Sequence, residues 1–558
     1  MTTQRRPGPG RRLAALIILS LIALLVSPAT AQATSYVPID GQGSTWDENA
    51  LDQWTSDVAK YGMDVQFTGN GSSAGRTAFY GGLVDFAASD IPYGETDDGV
   101  TDPPPPLGSY AYVPIVAGGT SFMYHLNVGG RLVTNLRLSG ETIAKIFTGN
   151  LTMWNAPEIA AENPGITLPA VQIVPVVRTD GSGSSAQLTK WLSEKYTSMW
   201  NAYCKAAGRP VFDPCGSTSF YPTVPGSDFI NQSLDSGVAG YVAEPTSDGA
   251  ITYTEYSYAL EANYPVVKML NSAGYYTLPT ASNVAVSLTK ASILNTPNDP
   301  ATNLTQDLDQ VYTDSDPRTY PLSSYSYLIV PLTTSGSNST FTSAKGVTLS
   351  TFTDFALCQG QQAMGPLGYS PLPINLVKAG FTQITKIPGA VAQNINVATC
   401  NNPTFSPSGV NLVVQNAPQP PACDKAGPTQ CGVDGTTPIT TGGGTTGSGG
   451  GTGGTTGSNG ATTGPSAGAS GTASAGTGSS GNGSGGSSDS LGSLGNPQNG
   501  SGGAGSTLNP NIVAGQYFIS SAYSSPVSMP LMGVAAGFLL IAVFGPAVYW
   551  RLRKRRRS

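Results

Sequence analysis

From Gly435 to Ser506 the chain is dominated by Gly, Ser, Thr and Asn. A tract of this kind cannot bury enough apolar surface to offset its ordering entropy. It predicts a flexible linker with a root-mean-square span of roughly 50 Å, and the folded part of the chain must precede it. Beyond it, Leu531–Trp550 is apolar throughout and long enough to span a bilayer. Arg551, Arg553, Lys554, Arg555, Arg556 and Arg557 follow in the tail 551–558, and such a basic cluster marks the cytoplasmic side. No Leu-Pro-x-Thr-Gly precedes the span, which favours its retention. Residues 1–31 hold Arg5, Arg6, Arg11 and Arg12, an apolar run from Leu13 to Val26, and the small residues Ala29-Thr30-Ala31. These are the parts of a secretory signal peptide. The expectation is a single-pass protein of the cell membrane. It is anchored through its C-terminus, with the globular domain extracellular and the tail cytoplasmic.

Six cysteines in an exported chain predict disulfides. Proximity in sequence, one choice among many connectivities, suggests Cys204–Cys215, Cys358–Cys400 and Cys423–Cys431. Their spacing is not that of a zinc site, and the one histidine, His125, lies in an apolar strand-like run. No metal and no cofactor is expected. A formal net charge of −6 gives no basic surface for nucleic acid.

Within the globular part, strand-like runs alternate with helical spacing. Val65-Gln66-Phe67, Val84-Asp85-Phe86-Ala87 and Ile173–Val177 read as strands, and Glu141–Phe147 as a helix. The alternation predicts an α/β fold with largely parallel sheets. Ligands in such folds bind beyond the carboxyl ends of strands, near helix N-termini.

Three strand-to-helix segments there are rich in small hydroxyl residues. Val177-Arg178-Thr179-Asp180-Gly181-Ser182-Gly183-Ser184-Ser185 precedes a helix at Ala186–Leu192. Gly41-Gln42-Gly43-Ser44-Thr45-Trp46 precedes a helix at Asp47–Trp54, and Gly71-Ser72-Ser73-Ala74-Gly75 precedes Arg76–Tyr80. Uncovered backbone N–H groups and the helix dipole draw anions to such starts. Arg178 adds a fixed positive fork that matches an oxyanion.

In order and spacing these segments resemble the phosphate-binding proteins of bacterial ABC phosphate importers. So do Val84–Asp90, Leu151–Asn155, Gly237–Val242 with Glu244, and Leu367–Pro373. The resemblance runs from about Val37 to about Lys386. It implies a two-lobed periplasmic binding protein-like fold with hinge-crossing strands and inorganic phosphate in the cleft. Lobe I would comprise 35–112 and 321–417, and lobe II 113–320. Tyr110–Pro114 and Tyr320–Ser323 would be the crossings, and Trp200–Phe220 a loop insertion. Residues 418–434 would form a cysteine-stapled extension. The implied partner is the permease of an ABC transporter.

The resemblance also implies roles. Arg178 would contact phosphate and Asp180 would hold Arg178. Ser182, Gly183 and Ser184 would supply hydroxyls and backbone donors; relatives commonly have Thr where Ser184 stands. Ser72 matches the second helix-start serine, and Thr45 and Trp46 match the first segment. Asp90 would accept a proton from phosphate, which fully ionised sulfate cannot offer. Where the family usually has Thr-Phe-Pro, this chain has Asp47 in place of the proline. Thr45 and Glu48 also satisfy a capping box, a second use for the Thr45 hydroxyl. Read as bare residues, Asp90 is equally a turn aspartate, and Arg178–Asp180 a surface ion pair.

Three functions are thus expected in order: non-catalytic capture of phosphate by lobe closure for an importer, a cell-surface phosphate sensor or scaffold, and a serine hydrolase. The last rests on Gly71–Gly75, which also fits G-x-S-x-G with Ser73 central.

Overall fold

The computed structural model describes residues 36–440, apart from 95, 98–99, 210–213, 300, 391–399 and 407. The signal segment, the linker beyond 440, the apolar span and the basic tail lie outside the described residues. Among the described residues, no helix is long and apolar enough to cross a membrane.

The first lobe is built on three parallel strands: β1 (Ile39–Gly43), β2 (Val65–Gly69) and β3 (Phe86–Ser89). Helix α1 (Glu48–Ala59) follows β1 and α2 (Ser72–Tyr80) follows β2. The second lobe repeats the plan with β5 (Val174–Arg178), α3 (Gly183–Lys195), β6 (Ile230–Gln232), α4 (Leu234–Ala243) and β7 (Ala250–Glu255). There β5 runs parallel to both β6 and β7. Two long strands join the lobes, β4 (Tyr110–Tyr124) and β8 (Ser323–Pro331), both buried along their whole length. Residues 110–119 of β4 pair antiparallel with β8, skipping Ile115, and its last five residues pair with β7. The continuous strand order is therefore β6-β5-β7-β4-β8-β3-β1-β2. The parallel triplets match the sequence expectation, whereas the connecting strands are antiparallel.

The β4–β8 ladder slips register between Ser326 and Tyr327, where Val116 gives way to Pro114 as partner. Proline has no N–H for a ladder, and a bulge lets the strand pass it. In the first lobe α2 lies against β1 through glycines. A Cβ on Gly75 would sit 2.5 Å from the Gly43 Cα, and one on Gly43 2.0 Å from the Ala88 carbonyl oxygen. Close approach there brings the α2 start beside the end of β3.

All three disulfides form as sequence proximity suggested: Cys204–Cys215, Cys358–Cys400 and Cys423–Cys431. The segment expected as a loop from Trp200 instead starts as a helix, Thr197–Ala206, because Trp200, Tyr203 and Cys204 make a buried face at helical spacing. The disulfide ties that helix to the returning loop.

The C-terminal part of the body crosses back between lobes. Cys400 is bonded to Cys358 at the end of α5 (Ser343–Leu357), and Asn402 donates to the Leu357 carbonyl at 3.0 Å. Residues expected to close lobe I then leave it. Arg318 donates to the carbonyls of Val414 (3.0 Å) and Ala417 (3.4 Å). Asp424 pairs with Lys268 at 2.7 Å, and Arg137 donates to the carbonyls of Cys423 and Thr429. Pro438–Thr440 pairs with Thr429–Cys431. Residues 435–440, expected to open the linker, are instead part of the folded body: β-branched Ile439 packs toward Gly165, a contact that composition alone concealed.

Candidate functional site

The carboxyl ends of β1, β2, β3, β5 and β6 converge on the cleft between the lobes. Each delivers a short polar turn, and four of the five open a helix. Thr45, Ser72, Asp90, Arg178, Asp180, Ser182, Gly183 and Ser184 all fall in this group.

Asp90 is buried, 1 % exposed. Ser44 and Ser72 donate to its Oδ2 at 2.8 and 3.2 Å. Gln187 and Gln306 donate to its main-chain carbonyl at 2.8 and 3.0 Å, fixing the turn from both sides. Its Oδ1 has no hydrogen-bond partner. Burial pushes its pKa up to about 6; the Ser44 hydroxyl acts in the opposite sense and the Asp235 charge adds to the rise. The carboxyl lies on the first turn of α3, where a Cβ on Gly183 would sit 2.0 Å from Asp90 Oδ2. A side chain at 183 would deny Asp90 this seat. Next along, the buried Ser184 Oγ also lacks a partner. Ser182 caps α3, its hydroxyl accepting from Ser185 N at 3.3 Å.

Arg178 is buried at the end of β5. Asp180 takes Nε at 2.8 Å and Nη2 at 2.5 Å, a two-point contact. Nη1 donates to Asp235 Oδ2 at 2.5 Å, and Nη2 to Thr45 Oγ1 at 3.1 Å. Burial alone would lower the Arg178 pKa; Asp235 and Asp180 outweigh it and raise it. Burial likewise works to raise Asp180, and the guanidinium overrides it, leaving Asp180 below its usual value. Asp180 Oδ1 further accepts from Leu234 N at 2.8 Å, and Leu234 adopts φ 67°, a left-handed conformation rare for a bulky residue. Asp180 thus fixes both the arginine and the entry to α4.

Asp235 was not anticipated. It accepts from Thr45 Oγ1 at 2.6 Å, Thr254 Oγ1 at 2.8 Å and Glu255 N at 3.3 Å, besides Arg178. The signal was present: it sits in the first turn of a helix that follows a strand, like the segments singled out. Ser44 lies inside the first of those segments but was given no role of its own, and Ser326 was missed, a single serine within a strand.

The Thr45 hydroxyl donates across the cleft to Asp235, so the expected capping box is not made. The N-cap of α1 is Asp47, and Glu48 accepts instead from Gly69 N at 3.2 Å and Tyr258 Oη at 3.3 Å. Trp46 reaches the cluster only through its main chain. Its N–H goes to Ser44 Oγ at 3.0 Å, and its ring packs edge-on against Tyr369. Ser73 Oγ donates to Ser219 Oγ at 3.1 Å and accepts from Arg76 at 3.2 Å. His125 faces the Val242 carbonyl and Asn127. Its ring nitrogens therefore contact neither Ser73 nor its neighbours, which leaves the hydrolase reading without a base.

The lobes touch across the cleft through Thr45–Asp235, Arg178–Thr45, Gln187–Asp90 and the 3.0 Å bond from Ser73 N to the Gly181 carbonyl. One guanidinium faces two carboxylates, so the site has no surplus positive charge. What it presents is an unpartnered carboxyl oxygen beside an unpartnered hydroxyl, at the positive end of a thirteen-residue helix. That set can hold a compact oxyanion that still bears a proton. Among the described residues, no cluster of His, Cys, Asp and Glu is arranged to hold a metal ion.

Residues 28–359 match the family model described as "PBP superfamily domain". Phosphate-binding protein PstS 3 of Mycobacterium tuberculosis is 30% identical over 354 residues, covering 62% of this chain and 86% of that protein. Phosphate-binding protein PstS of Xylella fastidiosa is 28% identical over 357 residues, covering 63% and 86%. The crystal structure of a phosphate-binding protein from Stenotrophomonas maltophilia is 18% identical with a TM-score of 0.44, covering 67% of this chain and 99% of that one.

Proposed function

Because the chain belongs to the PBP superfamily, and its relatives there are phosphate-binding proteins, we propose that it captures inorganic phosphate outside the membrane and hands it to the permease of an ABC importer. Its family is one of substrate-binding proteins, which bind without turnover. Phosphate would lie between Asp90 and the start of α3. It would accept from the backbone of Gly183 and the hydroxyl of Ser184, with Ser72 and Ser182 alongside. Arg178 would approach it with the one N–H not committed to Asp180, Asp235 or Thr45. In this reading Thr45 and Asp180 position Arg178, while Trp46 seats the first turn by packing.

The observation that carries the reading is the lone Asp90 Oδ1. A buried carboxyl oxygen without a donor is destabilising, and a ligand that brings its own proton removes the penalty. Phosphate does so; fully ionised sulfate would set one acceptor against another. Lobe separation and closure about β4 and β8 would admit and release the ion.

The test is calorimetric titration of the purified full-length protein with phosphate, sulfate and arsenate at fixed ionic strength. Phosphate and arsenate should bind and sulfate should not. Equal affinity for sulfate would remove Asp90 as the discriminating group, and no binding of any of the three would end the phosphate assignment.

The signal peptide, the flexible tether from beyond residue 440 to 506 and the span 531–550 complete the proposal. They would hold the domain at high effective concentration beside the membrane.

A further inference from the structure

Asp47 is fully buried at the N-cap of α1, yet its carboxyl makes no capping bond. An aspartate there ordinarily accepts from the first helical N–H groups. Here Oδ2 instead accepts from the hydroxyl of Ser326, and Oδ1 has no partner. Ser326 stands on β8 beside the register slip, and its oxygen lies 3.3 Å from the Ser89 carbonyl, the residue before Asp90. The same hydroxyl bears on the Asp90 carboxyl. Two buried carboxyls therefore flank one serine, and each keeps one oxygen without a partner.

We propose that Asp47 is a second ligand-facing carboxyl, which meets the bound oxyanion through Oδ1 and makes the complex retain one more proton than Asp90 alone would hold. This rests on phosphate being the ligand. Two carboxyl oxygens and a phosphate can share the cluster without opposed acceptors only if two protons lie among them. Either the ligand brings both, or it brings one and Asp47 supplies the other as a neutral acid. Both routes give the same proton count and no bond other than hydrogen bonds changes.

The surroundings favour the neutral acid. Burial raises Asp47 well above the usual carboxylate range, and Asp90 and Glu48 add to the rise, against the Ser326 hydroxyl. Tyr369 faces it from the segment after residue 367, and Asp235, Glu255 and Arg178 stand beyond Asp90 and Thr45. The one cation of the group, Arg178, is committed to Asp180 and Asp235.

The consequence is a site that loses phosphate as pH rises. Once the unliganded protein has lost the Asp47 proton, binding must take a proton up, and affinity falls about tenfold per pH unit. The experiment is titration of the full-length protein with inorganic phosphate from pH 5 to pH 9. At each pH two buffers of different ionisation enthalpy count the protons exchanged. Wild type is compared with Asp47→Asn, which keeps a donor but does not titrate, and with Ser326→Ala. Wild type should take up as much as one proton more than Asp47→Asn, and should weaken relative to it on the alkaline side. Ser326→Ala removes the hydroxyl that favours the ionised form, so its alkaline weakening should start at higher pH. Equal proton counts and parallel profiles for wild type and Asp47→Asn would overturn the proposal while leaving phosphate capture intact. If Asp47→Asn fails to fold, an unmoved profile in Ser326→Ala overturns it. A wild type that binds no phosphate at any pH overturns this and the function together.

Discussion

Gly183→Ala isolates the contact between the lobes from the stability of either one. A methyl group at 183 would lie 2.0 Å from Asp90 Oδ2, 2.6 Å from its Cβ and 2.7 Å from its Cγ. Ordinary contact between such atoms is about 3.5–4.0 Å, so Asp90 and the α3 start must separate by more than an ångström. Asp90 cannot swing aside freely, because Ser44 and Ser72 hold its carboxyl and Gln187 and Gln306 hold its carbonyl. The strain therefore falls on the closed arrangement of the lobes. Two contributions to the ligand are then lost together: the Asp90 hydrogen bond, about 1.5–3 kcal/mol for a charged pair, and part of the α3 dipole contact, about 0.3–1 kcal/mol. Phosphate affinity should fall on the order of a hundredfold. The lobes themselves should not suffer, since alanine is the better helix former by up to about 1 kcal/mol. The assay is calorimetric titration of full-length wild type and variant, with thermal unfolding in the absence of phosphate as control. Affinity within threefold of wild type would refute the seating of Asp90 on α3, and a large loss of unliganded stability would refute the separation of binding from folding.

Unliganded stability should depend on the protonation of Asp90. Its folded pKa is raised from 3.8 to about 6, so its contribution is fully present below pH 3.8 and is lost as pH rises through about 6. That is roughly 3 kcal/mol for one buried group. Urea unfolding between pH 4 and pH 7 should show a steeper decline in wild type than in Asp90→Asn, which keeps the raised carboxyl of Asp47; parallel curves would contradict it. Truncation after Ser506 should release the globular domain into the medium, and a truncated protein still recovered with membranes would disprove anchoring through 531–550.

Much of the site could be read in the chain because its parts are local. A strand end, a small polar turn and a helix start occupy fewer than ten consecutive residues, so Arg178, Ser182, Gly183 and Ser184 are visible as one unit. The same holds for Ser72. What could not be read are relations across the cleft. The Thr45 hydroxyl had a plausible local use in a capping box, and only the neighbouring lobe supplies the competing Asp235 acceptor. Asp47 was legible only as a carboxylate in place of the family's proline; its burial and its bond from Ser326 belong to the fold. The fold was legible for a similar reason: parallel triplets follow from alternation, but the fifteen-residue β4 shared by both lobes has no pattern that says where one lobe stops. The ordered stretch 435–440 is the converse case, where one β-branched residue outweighed the composition around it.

The strap from Cys400 to Thr440 sets where mechanical load enters. The chain leaves lobe I at its disulfide and docks on lobe II through Arg137, Lys268 and Arg318 before the described residues end at 440. Tension along the proposed tether would thus be borne by one jaw of the clamp. In the proposed closure the other jaw, with Asp90 and Ser72, would swing as an unloaded arm on β4 and β8, and the strap would act as a check-rein that limits its travel. A leash fixed to one handle of a pair of tongs steadies the tool without closing it.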